Sequence, residues 1–433
     1  MTLVASLGAF GWWLVYDFVP LREGVTGIAL AADGAPAGAA AAEEAEWPMF
    51  GLTPARTRFV ASRLRPPFRL RYTIRGGSLI EMPPVVARGL VVFGTHDGEV
   101  IAAHVEDGAP AWTTSIGGCI ASSPVVWRNL VVVGWASPAP CGRGKDEQGG
   151  IVALDLATGK VAWRFRTGNV ESSPAVVDDV LFFAAYESRT RSTVYALALG
   201  GPRRVLWTHT LPTKVASSPS LWRGTVYISA YDRNVYAFES STGRLRWQTS
   251  AFSDDAEMRL LLGVRSLVTR NSWSEGGYYA TAALAYGQAY AGVIDGVFSA
   301  FDARTGAHRW SRRLKGSIYG SAAVWRQRVY VGTTSGRFYA LDARDGTVRW
   351  RFDLGGKILG SPTVTNGRVY ISSTARETVV LDAKTGALRW RFGDGHYSPL
   401  VVADGRAFLV GKGRVYALDN ALGWRTRWPR GVQ

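Results

Sequence analysis

The sequence predicts an all-β fold: an eight-bladed β-propeller of four-stranded blades. Three observations predict it. A strand–turn–strand unit recurs along the chain, its terminal tryptophans keep a base period of 40 residues, and an orphan strand near the N-terminus completes the last copy. Such a period marks solenoids, propellers or arrays, and four short strands per repeat select the propeller.

The clearest copy is Gly336–Trp350, GRFYALDARDGTVRW. Phe338 to Leu341 suit a pleated strand, Asp345-Gly346 a tight turn, and Thr347 to Trp350 the returning strand. Close copies are Ala153–Trp163, Ala237–Trp247, Ala300–Trp310 and Val380–Trp390, and looser ones end at Trp112 and Trp207. The terminal tryptophans are Trp112, Trp163, Trp207, Trp247, Trp310, Trp350 and Trp390, with spacings of 51, 44, 40, 63, 40 and 40. In the sixth repeat the four strands are read as Ser321–Trp325, Arg328–Gly332, Arg337–Leu341 and Thr347–Phe352. An eighth repeat, Ser398–Leu418, supplies only three strands, and Phe68–Ile74 provides the fourth. Pairing the two ends closes the ring and removes the exposed edges of an open array.

Ahead of the repeats the chain divides in two. Residues 1–23 form a short membrane-anchor-like or signal-like segment: Thr2 to Tyr16 is apolar, with Trp12, Trp13 and Tyr16 at one end and no basic residue ahead of it. It falls short of the roughly 20 apolar residues that span a bilayer, although Trp and Tyr favour the interface. Residues 24–46 are Ala/Gly-rich with an acidic end and read as a tether. The propeller is expected over 47–433, opening with Trp47-Pro48-Met49-Phe50.

The net charge is +16, and only seven of the 50 basic residues are Lys. This balance favours anionic surroundings such as lipid headgroups or acidic polymers. Arg246, Arg309, Arg349 and Arg389 sit beside repeat tryptophans, as expected on solvated outer strands, where charge also blunts edge pairing. No continuous basic helix or nucleic-acid motif appears, so nucleic acid is not an expected partner.

The motif AxDxxTGxxxW, at Ala153–Trp163 and Ala300–Trp310, resembles the quinoprotein-type (PQQ-like) propeller repeat family. Openings at Ser122-Ser123-Pro124, Ser172-Ser173-Pro174, Ser217-Ser218-Pro219, Ser361-Pro362 and Ser398-Pro399 support it, over about Trp47 to Leu418. The resemblance implies that the seven tryptophans form a girdle, each docking on a neighbouring blade. It also implies two functional branches, PQQ-dependent alcohol or sugar dehydrogenases and non-enzymatic assembly scaffolds. The chain has no adjacent cysteine pair and too little length for large catalytic insertions, which places it nearer the scaffolds. No cofactor is expected, PQQ with calcium entering only under the dehydrogenase alternative. The lipoprotein cysteine of the scaffold branch is also missing near the N-terminus.

Blade connectivity converts insertions into geometry. Loops between a blade's second and third strands share one face, here the top, with the crossings to the next blade. The insertions at 137–149, 187–192 and 251–278 all fall there, and long loops on a rigid scaffold are where binding sits. Within the last, 254–269 carries apolar residues at 260, 261, 264, 267 and 268, a helical spacing. Cys119 and Cys141 reach the same face and are expected to form a disulfide, which implies an oxidising compartment.

Glu81, Glu171, Tyr319, His396 and Tyr397 fall at the channel mouth, with Arg189 and Arg191 in a top loop. Such groups would bind a small ligand or simply line a wet channel. His96, His104, His209 and His308 make no metal spacing, and no metal site, nucleophile elbow, P-loop or paired-carboxylate motif stands out. The expectation is a monomeric, non-catalytic scaffold in the extracytoplasmic cell envelope, tethered to the cytoplasmic membrane or secreted, with protein partners. The alternatives are a quinoprotein dehydrogenase and a binder of acidic polymer or lipid.

Overall fold

The computed structural model describes residues 46–137, 141, 148–251, 277–397 and 400–421. The anchor-like segment 1–23, all but the last residue of the tether, and the helix expected at 254–269 lie outside the described residues. Among the described residues no helix is long and apolar enough to cross a membrane.

Eight four-stranded antiparallel sheets form the eight blades, with strands A to D running from the channel outward. Blade 1 comprises Val85–Ala87, Leu90–Gly94, Glu99–His104 and Pro110–Ser115. Blade 6 comprises Ala323–Trp325, Arg328–Gly332, Arg337–Asp342 and Val348–Asp353, close to the strands read from its sequence. Blade 8 joins Val401–Ala403, Arg406–Val410 and Arg414–Asn420 to the N-terminal strand Phe68–Arg75, whose Phe68 pairs with Asn420 and Arg75 with Arg414. The ring is therefore closed by the two ends of the chain. Strands B and C are apolar on both faces because every blade lies between two others, as in Leu90–Gly94, buried throughout.

The repeat motif works as one joint. In blades 5, 6 and 7 the C–D pairing slips by one residue beside Trp310, Trp350 and Trp390. That bulge re-aims the preceding arginine. Arg309, Arg349 and Arg389 thereby reach Asp302, Asp342 and Asp382 at 2.6, 2.6 and 2.9 Å. The other oxygen of Asp302 accepts from the amides of Arg304 and Thr305 and from the Thr305 hydroxyl, fixing the turn. Against a burial penalty, Arg309 and these turn donors hold the Asp302 carboxyl down to about 2.

The tryptophan then reaches the next blade. Its indole N–H donates to a carbonyl just past the neighbouring third strand: Trp112 to Leu156 (2.8 Å), Trp207 to Ser240 (2.8 Å), Trp247 to Ala303 (3.2 Å), Trp310 to Ala343 (3.1 Å) and Trp350 to Ala383 (3.2 Å). The motif glycine lies under the arriving ring: a Cβ on Gly346, at φ 69°, would collide with Trp310. Blade 8 uses Tyr72 instead. Its hydroxyl donates to the Val105 carbonyl, and its ring covers Gly108. Trp163 stacks under the Arg203 guanidinium, 4.9 Å from its centroid, where blade 3 lacks the Thr-Gly turn.

A second belt runs around the channel. The backbone N–H of Ser123 donates to Ser173 Oγ, that of Ser173 to Ser218 Oγ, and that of Ser218 to Thr281 Oγ1, each at 2.9 Å. Thr281 N–H continues to Ser321 Oγ at 3.0 Å, and Ser321 N–H to Ser361 Oγ at 2.9 Å. The preceding serines act within their own blades, Ser122 donating to the Gly134 carbonyl and Ser172 to that of Ala184. Each serine of the pair has its own task.

The segment between Trp47 and Leu64 was legible only as the start of the folded part. It circles inside the channel and hydrogen-bonds the free edges of the inner strands. Trp47 exchanges two bonds with Val86, and the carbonyls of Pro48, Pro54, Ala55, Thr57 and Arg58 accept from Val126, Leu221, Leu284, Val324 and Val364. Blade 3 is reached by the Arg56 side chain, bonded to the Ser173 and Pro174 carbonyls. This plug satisfies backbone groups that would otherwise line an open bore.

Ser218→Ala removes the acceptor for a buried amide in the belt. Urea denaturation is expected to show a loss of about 1–3 kcal/mol. Ser240→Ala, whose carbonyl alone serves Trp207, should be close to neutral.

Candidate functional site

The plug leaves the top of the channel open as a cavity of about 430 Å³. Its wall takes Glu81 from the entry to blade 1, Tyr279 from blade 5, Tyr319 from blade 6, Lys357 from blade 7 and Tyr397 from blade 8. Phe50 of the plug lines it from within. Crossing and B–C turn meet on this face: His96 N–H donates to the Leu79 carbonyl, Asn169 N–H to Tyr186, Tyr231 N–H to Lys214 and Ile294 N–H to Gly277.

Of the residues expected at the mouth, Glu81, Tyr319 and Tyr397 line the cavity. Glu81 Oε2 lies 2.7 Å from His96 Nε2, and its other oxygen accepts from Tyr279 at 3.4 Å. Tyr279 and Tyr319 pack with ring centroids 5.7 Å apart. Burial, then the charges of Glu81 and Glu171, push the Tyr279 hydroxyl well above its ordinary value, so it acts as a donor at neutral pH. Glu171 stands beside the cavity in its own cluster, accepting from Tyr186 at 2.6 Å and pairing with Lys214 at 3.2 Å. The Lys214 ammonium also lies 4.1 Å from the Tyr186 ring centroid, a cation–π contact.

His396 packs edge-on against Tyr397, centroids 3.9 Å apart, with a buried Nδ1 that meets no partner among the described residues. Burial, then Lys412, lowers its pKa, opposed by Asp394 and assisted by Arg376. Arg189 and Arg191 are exposed and stand apart from the cavity. The 187–192 stretch is not a loop insertion: strands Val180–Ser188 and Arg191–Ala198 run on as a long hairpin with its turn at Arg189-Thr190. Extra residues in register extend a ladder more readily than they form a loop.

Phe50, Tyr279 and Lys357 were not anticipated. Tyr279 had a signal, standing one 40-residue period before Tyr319, but the adjoining insertion obscured it. Lys357 and Phe50 had none, because only closure of the ring and passage of the plug bring them together.

Cys119 and Cys141 form a disulfide, Cα atoms 5.1 Å apart. Cys119 also exchanges two backbone bonds with Ala136, at 2.7 and 2.9 Å, so Cys141 is tied to the blade 2 entrance.

Comparison with known proteins places this geometry. The family model described as outer membrane protein assembly factor BamB matches residues 69–164, 147–270 and 295–432. The chain belongs to that family. Among curated proteins it is similar to the quinohemoprotein alcohol dehydrogenase of Comamonas testosteroni, 33% identical over 164 residues, or 35% of this chain and 21% of that protein. It is also similar to the assembly factor BamB of Burkholderia pseudomallei (strain K96243), 28% identical over 145 residues, or 33% of this chain and 34% of that one. The chain thus spans about a third or less of these curated relatives. The solved structure of BamB from Moraxella catarrhalis shares the fold at TM-score 0.61 and 16% identity, covering 81% of this chain and 97% of that one.

The quinone cofactor of the dehydrogenase relatives can be tested against the residues present. Calcium wants six to eight oxygen ligands with several carboxylates. Among the described residues no group of three His, Cys, Asp or Glu converges. The cavity wall offers one carboxylate, Glu81, already engaged by His96 and Tyr279, and one ammonium, Lys357. This donor set does not fit a calcium–quinone pair.

Two outcomes follow from the site. Cys141→Ser should destabilise the fold by about 3 kcal/mol, read by denaturation under oxidising conditions, since the bridge closes a 22-residue separation. His396 is held neutral below its ordinary value of 6.5, so the unfolded chain binds more protons on acidification. Its contribution is intact above pH 6.5 and lost as pH falls toward the lowered native value. His396→Gln should flatten the stability profile across that window.

Proposed function

We propose that this protein is a non-catalytic scaffold of the cell envelope that binds protein partners through its top face. The observation that carries this reading is the gathering on one face of the Cys119–Cys141 bridge, a lengthened hairpin ending at Arg189, and a tyrosine-rich mouth. A rigid ring presents them, and the cavity among them is built of packing and hydrogen-bonding groups. Family membership and the BamB relative of Burkholderia pseudomallei support it. The disulfide suits an oxidising compartment outside the cytoplasm.

Photo-crosslinking side chains at Arg189, Tyr319 and Tyr397 should capture envelope proteins in cells, with positions on the opposite face capturing few. Equal capture from both faces would remove the basis for the reading. Dye-linked alcohol or sugar oxidation after addition of PQQ and calcium would replace it with the dehydrogenase alternative.

A second reading rests on the opposite face, where the A–B and C–D turns lie. Over blades 4 to 7 its tips carry exposed Arg223, Arg244, Arg304, Arg326, Arg344 and Lys384. Arg223 and Arg326 stack on Trp222 and Trp325 at 4.6 and 4.7 Å, and Leu245, Tyr286, Val348 and Leu388 are exposed on this side. Basic and aromatic groups interleaved in this way suit an anionic lipid surface. Phosphatidylglycerol vesicles should co-sediment the protein at low salt and release it at high salt, and Arg326→Glu with Lys384→Glu should weaken binding. Equal binding to neutral phosphatidylcholine would sink this reading.

A further inference from the structure

The plug carries a charge that the propeller leaves unanswered. Arg56 and Arg58 are both fully buried at the channel core. Arg56 is satisfied by main-chain oxygens: its Nε donates to the Pro219 carbonyl at 3.0 Å, its terminal nitrogens to Ser173 and Pro174 at 3.4 and 3.3 Å and to Phe50. These acceptors hydrogen-bond the guanidinium but bring no counter-charge.

Arg58 has less. None of its three guanidinium nitrogens has a hydrogen-bond partner among the described residues. Among the described residues the Phe50 ring lies against it, 4.1 Å from the guanidinium carbon, covering a face but offering the N–H edges no acceptor. Buried polar groups are almost always paired, and an exception calls for a specific explanation. Deprotonation is not one, because an arginine stays charged at neutral pH even when burial and a second cation press on it. Burial and the neighbouring Arg56 both act against the Arg58 charge, and no carboxylate among the described residues offsets them.

The backbone holds this arrangement at a cost. Arg56 and Arg58 adopt φ of 59° and 56°, a region that side-chain-bearing residues rarely occupy, and Leu52 in the same plug lies at 73°. Inner-strand bonds to Ala55, Thr57 and Arg58 keep them there. The channel core thus carries two buried positive charges, one of them without an acceptor among the described residues.

We propose that Arg58 binds a small inorganic anion of halide size inside the channel. The size follows from position. Phe50 lines the open cavity and covers one face of Arg58, whereas Arg58 is fully buried and does not line that cavity, which restricts an occupant to monatomic size. The anion supplies the acceptor and the counter-charge together, which water does not. Its effect is to stabilise the plug, and through it the inner edges of six blades.

Crystals grown in sodium bromide test the site on the unaltered protein: an anomalous peak within hydrogen-bonding distance of the Arg58 guanidinium is expected. Thermal unfolding at constant ionic strength, exchanging sodium gluconate for sodium chloride, should raise the melting temperature saturably. Arg58→Met keeps the side-chain length without the charge and should abolish that response while remaining folded in gluconate. Absence of bromide at Arg58, or an identical chloride response in the variant, would overturn the proposal. If Arg58→Met fails to fold, the bromide peak alone decides. The outcome is independent of whether the top face binds protein.

Discussion

A propeller stands or falls on the joints between its blades, because each blade is a small sheet that cannot bury two faces alone. Here the joint is a hydrogen bond from an indole N–H to a neighbouring main-chain carbonyl, over a glycine that has to lack a side chain. At Trp310, for example, the ring covers Gly346 while its nitrogen meets Ala343. The rest of the motif serves this contact. The bulge before the tryptophan turns the arginine toward the aspartate, and the aspartate fixes the turn that presents the glycine. Tyr72 shows that the geometry matters more than the residue type, since a phenol replaces the indole where the ends of the chain meet.

The outer joints are matched by the inner belt and the plug. Five backbone amides in sequence along the ring find a hydroxyl on the next blade, and the plug answers the inner edges that remain. The outer joints combine one directional indole hydrogen bond with ring packing, whereas the belt is hydrogen bonding alone. Above the plug a cavity remains at the top of the channel.

This division bears on function. The face with the cavity, the Cys119–Cys141 bridge and the long hairpin is polar and varied from blade to blade, while the other face repeats the same turns with arginine and tryptophan. Variation on one face of a regular scaffold is what a specific protein partner requires, and repetition of charge on the other suits a surface without fixed positions. The two readings therefore use different sides of one ring and do not compete for residues.

Much of this was legible in the residues. The period between tryptophans gave eight blades, and Phe68–Ile74 could be assigned to the last because a three-stranded repeat needs a partner. Glu81, Tyr319 and Tyr397 could be placed at the mouth because each inner strand begins there. Propeller geometry repeats locally, so local pattern suffices. What the sequence could not decide lies where the repeat gives no guide: the path of Trp47 to Leu64, the burial of Arg56 and Arg58, and the meeting of Phe50 with Tyr279 and Lys357. Those residues are brought together only when the ring closes around the plug, through hydrogen bonds to strands far along the chain, such as Val364 to Arg58. The recurring motif determined the blades, and tertiary structure alone decided what fills their centre.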